Sequence, residues 1–257
     1  MIAITRAVSS GMQDCELVHL ERSRLDMDVL YRQHESYEAA LASLGCSIQR
    51  LPEEPEYPDS VFVEDTALVF DELAVMTRPG ADSRRGERKS IQAALAPHRE
   101  LRHIEGSASL DGGDVFRIGR DVFVGASTRS NAAAIDQLQE ILRPYGYTVR
   151  GAGLRGCLHL KSAVTPVGQN MLLLNPEWVD PQFFAGRKII EVDPSEASAA
   201  NGLLLGETLL YATEFPKTRR RLESEGVAVR TVEMSEFAKA EGAITCCSLI
   251  LDENSSR

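Results

Sequence analysis

The sequence predicts an α/β fold built from about five repeats of a unit that holds several strands and one helix. Segments with helical apolar spacing are each followed by a short β-rich segment. Five such β-rich segments recur roughly every 45 residues. Further strands lie between them, so strands outnumber helices, unlike the one-to-one alternation of a doubly wound sheet. A closed ring of α/β units suits this count. A plain α/β sandwich with coincidental spacing is the other architecture that the periodicity allows.

The elements follow in order. Residues 1–6 read as a strand. A helix over 29–44 leads to a strand at 47–51, and an alternating strand is expected over 60–69. A helix over 87–96 leads to a strand at 100–104, with further strands at 115–118 and 122–124. A helix over 131–143 leads to 148–150, and a strand at 162–165 follows a glycine-rich loop. A poor helical stretch at 177–184 leads to 188–192. A helix over 216–225, with Gly226 as its expected C-cap, leads to 228–232, and a last strand spans 244–251.

The bulk properties bound the function. The chain has 257 residues, enough for a substantial core, and no Pro/Gly/Ser-rich linker divides it, so residues 1–257 are expected to form one domain. The formal net charge of -10 disfavours nucleic acid and suits a small cation. Apolar runs such as 171–174 are too short to cross a bilayer, and the N-terminus lacks the long apolar core of a signal peptide. The five cysteines are odd in number and irregular in spacing, which favours free thiols and a cytoplasmic location over a disulfide framework or structural zinc. The sequon at Asn254 therefore carries no weight.

Five strings hold the residues that can do chemistry. Asp111-Gly112-Gly113-Asp114 marks a sharp turn into a strand, where Asp111 serves either a plain hairpin or an orienting role. His159 stands at the start of an alternating strand, with Lys161 on its face; a structural histidine is the commoner case. Cys246 and Cys247, adjacent on a strand, would point to opposite faces, so at most one meets a pocket. Both being small buried residues is the plainer account. Glu64 and Asp65 end the strand that follows Asp59. Two carboxylates can hold a guanidinium, though alternation keeps both from one face unless the strand bulges. Arg84 and Arg129 lie in strand-to-helix loops, where arginine can grip a carboxylate.

Taken together and in order, the strings Phe62-Val63-Glu64-Asp65, Arg78-Pro79-Gly80 with Ser83-Arg84-Arg85, Leu110-Asp111-Gly112-Gly113-Asp114-Val115, Leu158-His159-Leu160-Lys161-Ser162 and Thr245-Cys246-Cys247-Ser248 resemble the dimethylarginine dimethylaminohydrolases, from about Ile4 to Leu251. The resemblance implies a five-bladed α/β propeller and hydrolysis of a methylated free arginine. It implies Cys246 as nucleophile, His159 as general acid and base, and Asp111 as its orienting carboxylate, a position where other members carry glutamate. It further implies Glu64 and Asp65 at the guanidinium, Asp59 near the α-amino group, Arg84 and Arg129 at the α-carboxylate, and Leu17 in a lid spanning 11–22. It implies neither metal nor organic cofactor, a small cationic amino acid as partner, no membrane partner, and leaves a homodimer open. Arginine deiminases and amidinotransferases resemble the pattern too but carry His-x-Asp, where this chain has His159-Leu160-Lys161. One carboxylate fewer leaves room for methyl groups and argues for the methylated substrate. A deiminase-like enzyme on an unmethylated guanidine and a non-catalytic binding propeller are the competing readings.

Overall fold

A computed structural model describes residues 1–252; the Asn254 sequon lies outside them. Five three-stranded sheets form the blades of an α/β propeller. Each blade repeats one plan. Two strands pair antiparallel, and the middle strand then pairs parallel with a third. Parallel neighbours need a crossover, which a helix supplies.

Blade two comprises Ala67–Val69, Leu73–Met76 and Glu100–His103, with helix Arg88–Leu95 between the last two. Blade three comprises Val115–Ile118, Asp121–Ala126 and Thr148–Gly153, with helix Ala132–Leu142. Blade four comprises Val164–Gly168, Met171–Leu174 and Lys188–Glu191. Its crossover holds only the 3-10 turn Pro181–Phe184, in line with the poor helical signal there. Blade five comprises Gly202–Leu205, Thr208–Ala212 and Ala228–Val232, with helix Pro216–Ser224, beyond which Gly226 adopts φ +86°. Blade one closes the ring. Its middle strand is Ile2–Arg6 and its third is Ser47–Leu51, after helix Met27–Ser43. Its first strand, Leu249–Leu251, comes from the other end of the chain and pairs antiparallel with residues 2–4.

The core is divided among the seams between blades. Five apolar clusters each join two adjacent blades. Every middle strand is buried on both faces, and its alternate residues enter opposite seams. Leu73 and Val75 face the seam with blade three, while Ala74 and Met76 face the seam with blade one. Leu172 and Leu174 face blade three, while Leu173 faces blade five. Strands buried on both faces read as continuous apolar runs, without period-two alternation. The middle strands 73–76, 171–174 and 208–212 accordingly gave no alternating signal in the sequence.

The five first strands surround an axial channel whose walls include Ala67–Val69, Val115–Arg117, Thr165, Pro166 and Gly202–Leu205. Each is preceded by a short turn, and these turns meet at one mouth of the channel. Three expectations are corrected here. Residues 63–66 form a 3-10 turn ahead of a strand limited to 67–69. His159 caps a one-turn helix, Leu160–Ala163, ahead of strand Val164–Gly168. Ile244–Cys247 is a 3-10 turn ahead of Leu249–Leu251. No described helix is long and apolar enough to cross a membrane.

Candidate active site

The turns bring His159, Asp65 and Cys246 to one small cleft, which Asp59, Arg84 and Arg129 also line. His159 is buried, with Nε2 3.1 Å from Asp111 Oδ2 and 4.0 Å from Asp65 Oδ1. Asp111 stands behind the imidazole, fully buried. Its Oδ1 accepts the Gly80 N–H (2.7 Å), its own N–H donates to Ser130 Oγ (3.1 Å), and Arg129 Nη1 lies 3.9 Å from Oδ2. The two glycines after Asp111 do not serve positive φ, as the sequence suggested; neither has it. They serve close approach. A Cβ on Gly113 would lie 2.6 Å from His159 Nδ1 and 2.9 Å from Asp65 Oδ1, and one on Gly112 would lie 1.9 Å from the Glu64 carbonyl.

Asp114 ties the turns together. Its Oδ1 accepts the Leu160 N–H (3.0 Å), just after His159, and its Oδ2 accepts the hydroxyls of Ser127 (2.5 Å) and Ser130 (2.6 Å), on either side of Arg129. Asn201 does the same beside the thiol. Its Oδ1 accepts the Thr245 N–H, and its Nδ2 donates to Thr245 Oγ1 and to the Lys161 carbonyl, all at 3.0 Å.

The 3-10 turn resolves the alternation problem at Glu64 and Asp65 by sending the two carboxylates to different places. Asp65 lines the cleft. It accepts Arg84 Nη1 (2.5 Å) and the Gly113 N–H (2.9 Å). Glu64 lines the axial channel, where it pairs with Lys161 Nζ and accepts from Thr245 Oγ1 (2.9 Å). The Glu64–Lys161 pair thus lies in the wall of the channel rather than in the cleft. Arg84, expected to clamp a carboxylate, is largely committed within the protein. Besides Asp65, it binds Glu87 with Nε and Nη2 (3.0 and 2.9 Å) and the Phe62 carbonyl (2.9 Å). Arg129 carries fewer protein contacts and remains the cleft's more available guanidinium. Leu17 packs on the core cluster of blades five and one, while its neighbour Glu16 lines the cleft.

Carboxylates dominate the electrostatics. Burial opposes charging of His159, but Asp65, Asp111 and Asp114 outweigh it and hold the imidazole at about 9. Burial opposes ionisation of Asp65 as well; His159 and Arg84 reverse this and set it at about 2. Asp114 lacks enough compensation, and burial raises it to about 6. Cys246 is partly exposed, and burial with Glu64 and Asp65 pushes its thiol well above the usual range. Cys247 is buried in the seam between blades five and one. Asp65, Asp111 and His159 place ligand atoms within 4.8 Å of one another. Arg84 and Arg129 already bring positive charge to the two carboxylates, so the trio reads as an acid–base unit.

Several of these groups escaped the sequence reading. Glu87 sits three residues after Arg84, a spacing that signals an ion pair on a helical turn. Asn201 offered no local signal, nor did Glu241, which also lines the cleft.

A thiol, an imidazole and its carboxylate at the mouth of a five-bladed α/β propeller define the class of guanidine-modifying enzymes. No family model matches the sequence. The chain is 36% identical over 253 residues to an N(G),N(G)-dimethylarginine dimethylaminohydrolase of Streptomyces coelicolor, covering 98% of this chain and 97% of that one. It is 34% identical to the enzyme of that name from Pseudomonas aeruginosa, covering 84% and 86%. A solved structure of the Pseudomonas aeruginosa enzyme, a cysteine-to-serine mutant complexed with citrulline, superposes with a TM-score of 0.92 at 32% identity, covering 96% and 97%. The N-terminal domain of the cyanobacterial arginine dihydrolase ArgZ shares the fold, with a TM-score of 0.86 at 20% identity. The chain belongs to the dimethylarginine dimethylaminohydrolase family.

Proposed function

We infer that this protein hydrolyses Nω-methylated free arginine to citrulline and methylamine or dimethylamine, and that residues 1–257 act as one catalytic unit. The observation that carries the reading is the meeting of Cys246, the His159–Asp111 pair and Asp65 in one acidic cleft. A buried cation needs such partners. Asp65, fixed by Arg84 and Gly113, presents a charged carboxylate to the guanidinium. Asp59 takes the α-ammonium and Arg129 the α-carboxylate.

The chemistry follows from the charges. Without substrate, the surrounding carboxylates keep Cys246 as a thiol and His159 as an imidazolium. Arrival of the guanidinium adds positive charge beside the sulfur and releases the thiol proton to solvent, because only the thiolate attacks. The thiolate bonds to the central guanidinium carbon. As the C–N bond breaks, His159 gives its proton to the departing amine, a poor leaving group as an anion. The amine leaves neutral and takes up a proton from solvent. A covalent thiouronium remains on Cys246. His159, now neutral, accepts a proton from water as its oxygen attacks the same carbon, and as that adduct collapses its hydroxyl proton passes to the departing sulfur, which yields citrulline and returns Cys246 to its thiol. Lys161 stands where the deiminases carry a second aspartate, and Glu64 faces the channel, so Asp65 is the carboxylate left to the guanidinium and a terminal nitrogen has room for methyl groups.

The test measures citrulline from equal concentrations of arginine, monomethylarginine and asymmetric dimethylarginine, with wild type beside Cys246→Ser. Turnover of methylated substrates alone, lost in the mutant, supports the reading. Turnover of arginine moves the protein to the deiminases, and no turnover moves it to a binding propeller. Homodimer formation is measured by light scattering, where the protomer mass alone would remove it.

A further inference from the structure

The loop over the cleft is clasped from beneath by two carboxylates of the cleft itself. Asp59 Oδ2 accepts the Glu16 N–H (3.0 Å). Glu241 Oε1 accepts three consecutive N–H groups, those of Val18 (3.0 Å), His19 (2.6 Å) and Leu20 (2.7 Å). Leu17 lies between the two clasps. Successive amides converging on one oxygen make an anion nest. Here the anion is a side chain that lies more than 200 residues away in sequence.

Apolar packing does not hold the tip of this loop down. Val18 and Leu20 are 47% and 49% exposed. The Glu241 bonds are what attach it. Glu241 itself is held at a cost. Among the described residues it alone, glycine aside, has positive φ, at 56°. Such backbone is disfavoured for a side-chain-bearing residue and persists where its surroundings impose it. Its second oxygen, Oε2, is buried without a hydrogen-bond partner. Glu241 lines the substrate cleft and also an adjoining apolar cleft walled by Leu158, Trp178 and Phe215. It precedes the turn Ile244–Cys247 that carries the nucleophile.

We propose that Glu241 is a positioning residue for the reaction: its carboxylate latches residues 16–20 over the substrate and ties that closure to the nucleophile's turn. The orphan oxygen and the left-handed backbone keep the latch reversible, because opening returns Oε2 to water. Substrate enters and citrulline leaves by that opening. The kinetic part rests on the dimethylargininase reading; the latch does not.

The experiment follows hydrogen exchange at the amides of Val18, His19 and Leu20 in the whole protein, for wild type, Glu241→Gln and Glu241→Gly, beside steady-state kinetics with asymmetric dimethylarginine. Glycine accepts the backbone angle, so that variant keeps the turn. Exchange at the three amides is expected to accelerate about tenfold or more in Glu241→Gly. KM is expected to rise about tenfold, beyond any change in kcat. Glu241→Gln retains a carbonyl acceptor and falls between. Unchanged exchange in both variants overturns the latch, whatever the activity. Faster exchange with unchanged KM, or a fall in kcat alone, overturns its link to the reaction. If wild type turns over no methylarginine, the exchange result still decides the latch.

Discussion

His159 is charged at neutral pH because three carboxylates surround it, and that charge bears on folding as well as on proton transfer. Its value in the fold, about 9, lies above its ordinary value of 6.5. The contacts of the imidazolium therefore stabilise the fold fully below about pH 6.5 and fade as pH rises through about 9. The contribution amounts to roughly 3 kcal/mol. Wild type should exceed His159→Gln in unfolding free energy by about that much more at pH 6 than at pH 10, read from urea melts. An equal gap at both values would mean that the imidazole is neutral in the fold. At this scale the sequence was informative. Cys246, His159, Asp65, Asp59, Arg84 and Arg129 all line the one cleft, and Asp111 backs it, because a motif records residue type directly. It was less informative about partners: Glu64 faces the channel, and Arg84 spends most of its donors on Asp65 and Glu87.

The elements that carry the site are short turns, and these were the least legible. Residues 60–66, 159–163 and 244–247 each mix apolar and polar residues in a way that suits a strand, yet one helical turn satisfies the same pattern. What fixes them is contact across the ring, which no local window contains. Asp114 shows this. It joins the N–H of Leu160 to the hydroxyls of Ser127 and Ser130. Asp114→Ala leaves those three donors without their acceptor, two of them buried, and should cost about 3 kcal/mol in a urea melt. It should also lower kcat and raise KM together, because the turns of His159 and Arg129 lose their common anchor. A change in KM alone would place Asp114 with the substrate loop instead.

Across the molecule, five seams hold what a single interior holds elsewhere, and the ring stands only when all five are filled. The seam between blades one and two depends on Leu249 and Leu251, which pack against Ile4, Ala67 and Ala74. A chain ending at Ser248 removes them and exposes the edge of Ile2–Arg6. It should melt at least about 10 °C lower than the whole chain by circular dichroism, or fail to fold. A melt within a few degrees would show that four closed seams suffice. The repeat that betrayed this architecture in the sequence came from the outer strands and helices, whose half-exposed faces keep their period. The middle strands 73–76, 171–174 and 208–212 escaped because both faces are buried, whereas those at 2–6 and 121–126 were expected as strands.

The clasp of the ring and the thiol that lines the cleft occupy the same few residues, Cys246 and then Leu249–Leu251. On the ribosome, this stretch emerges after every other blade has been made. The pocket around Cys246 is therefore finished only when Leu249–Leu251 pair with Ile2–Ile4. Closing the ring and completing the cleft around Cys246 are thus one event in the making of the chain.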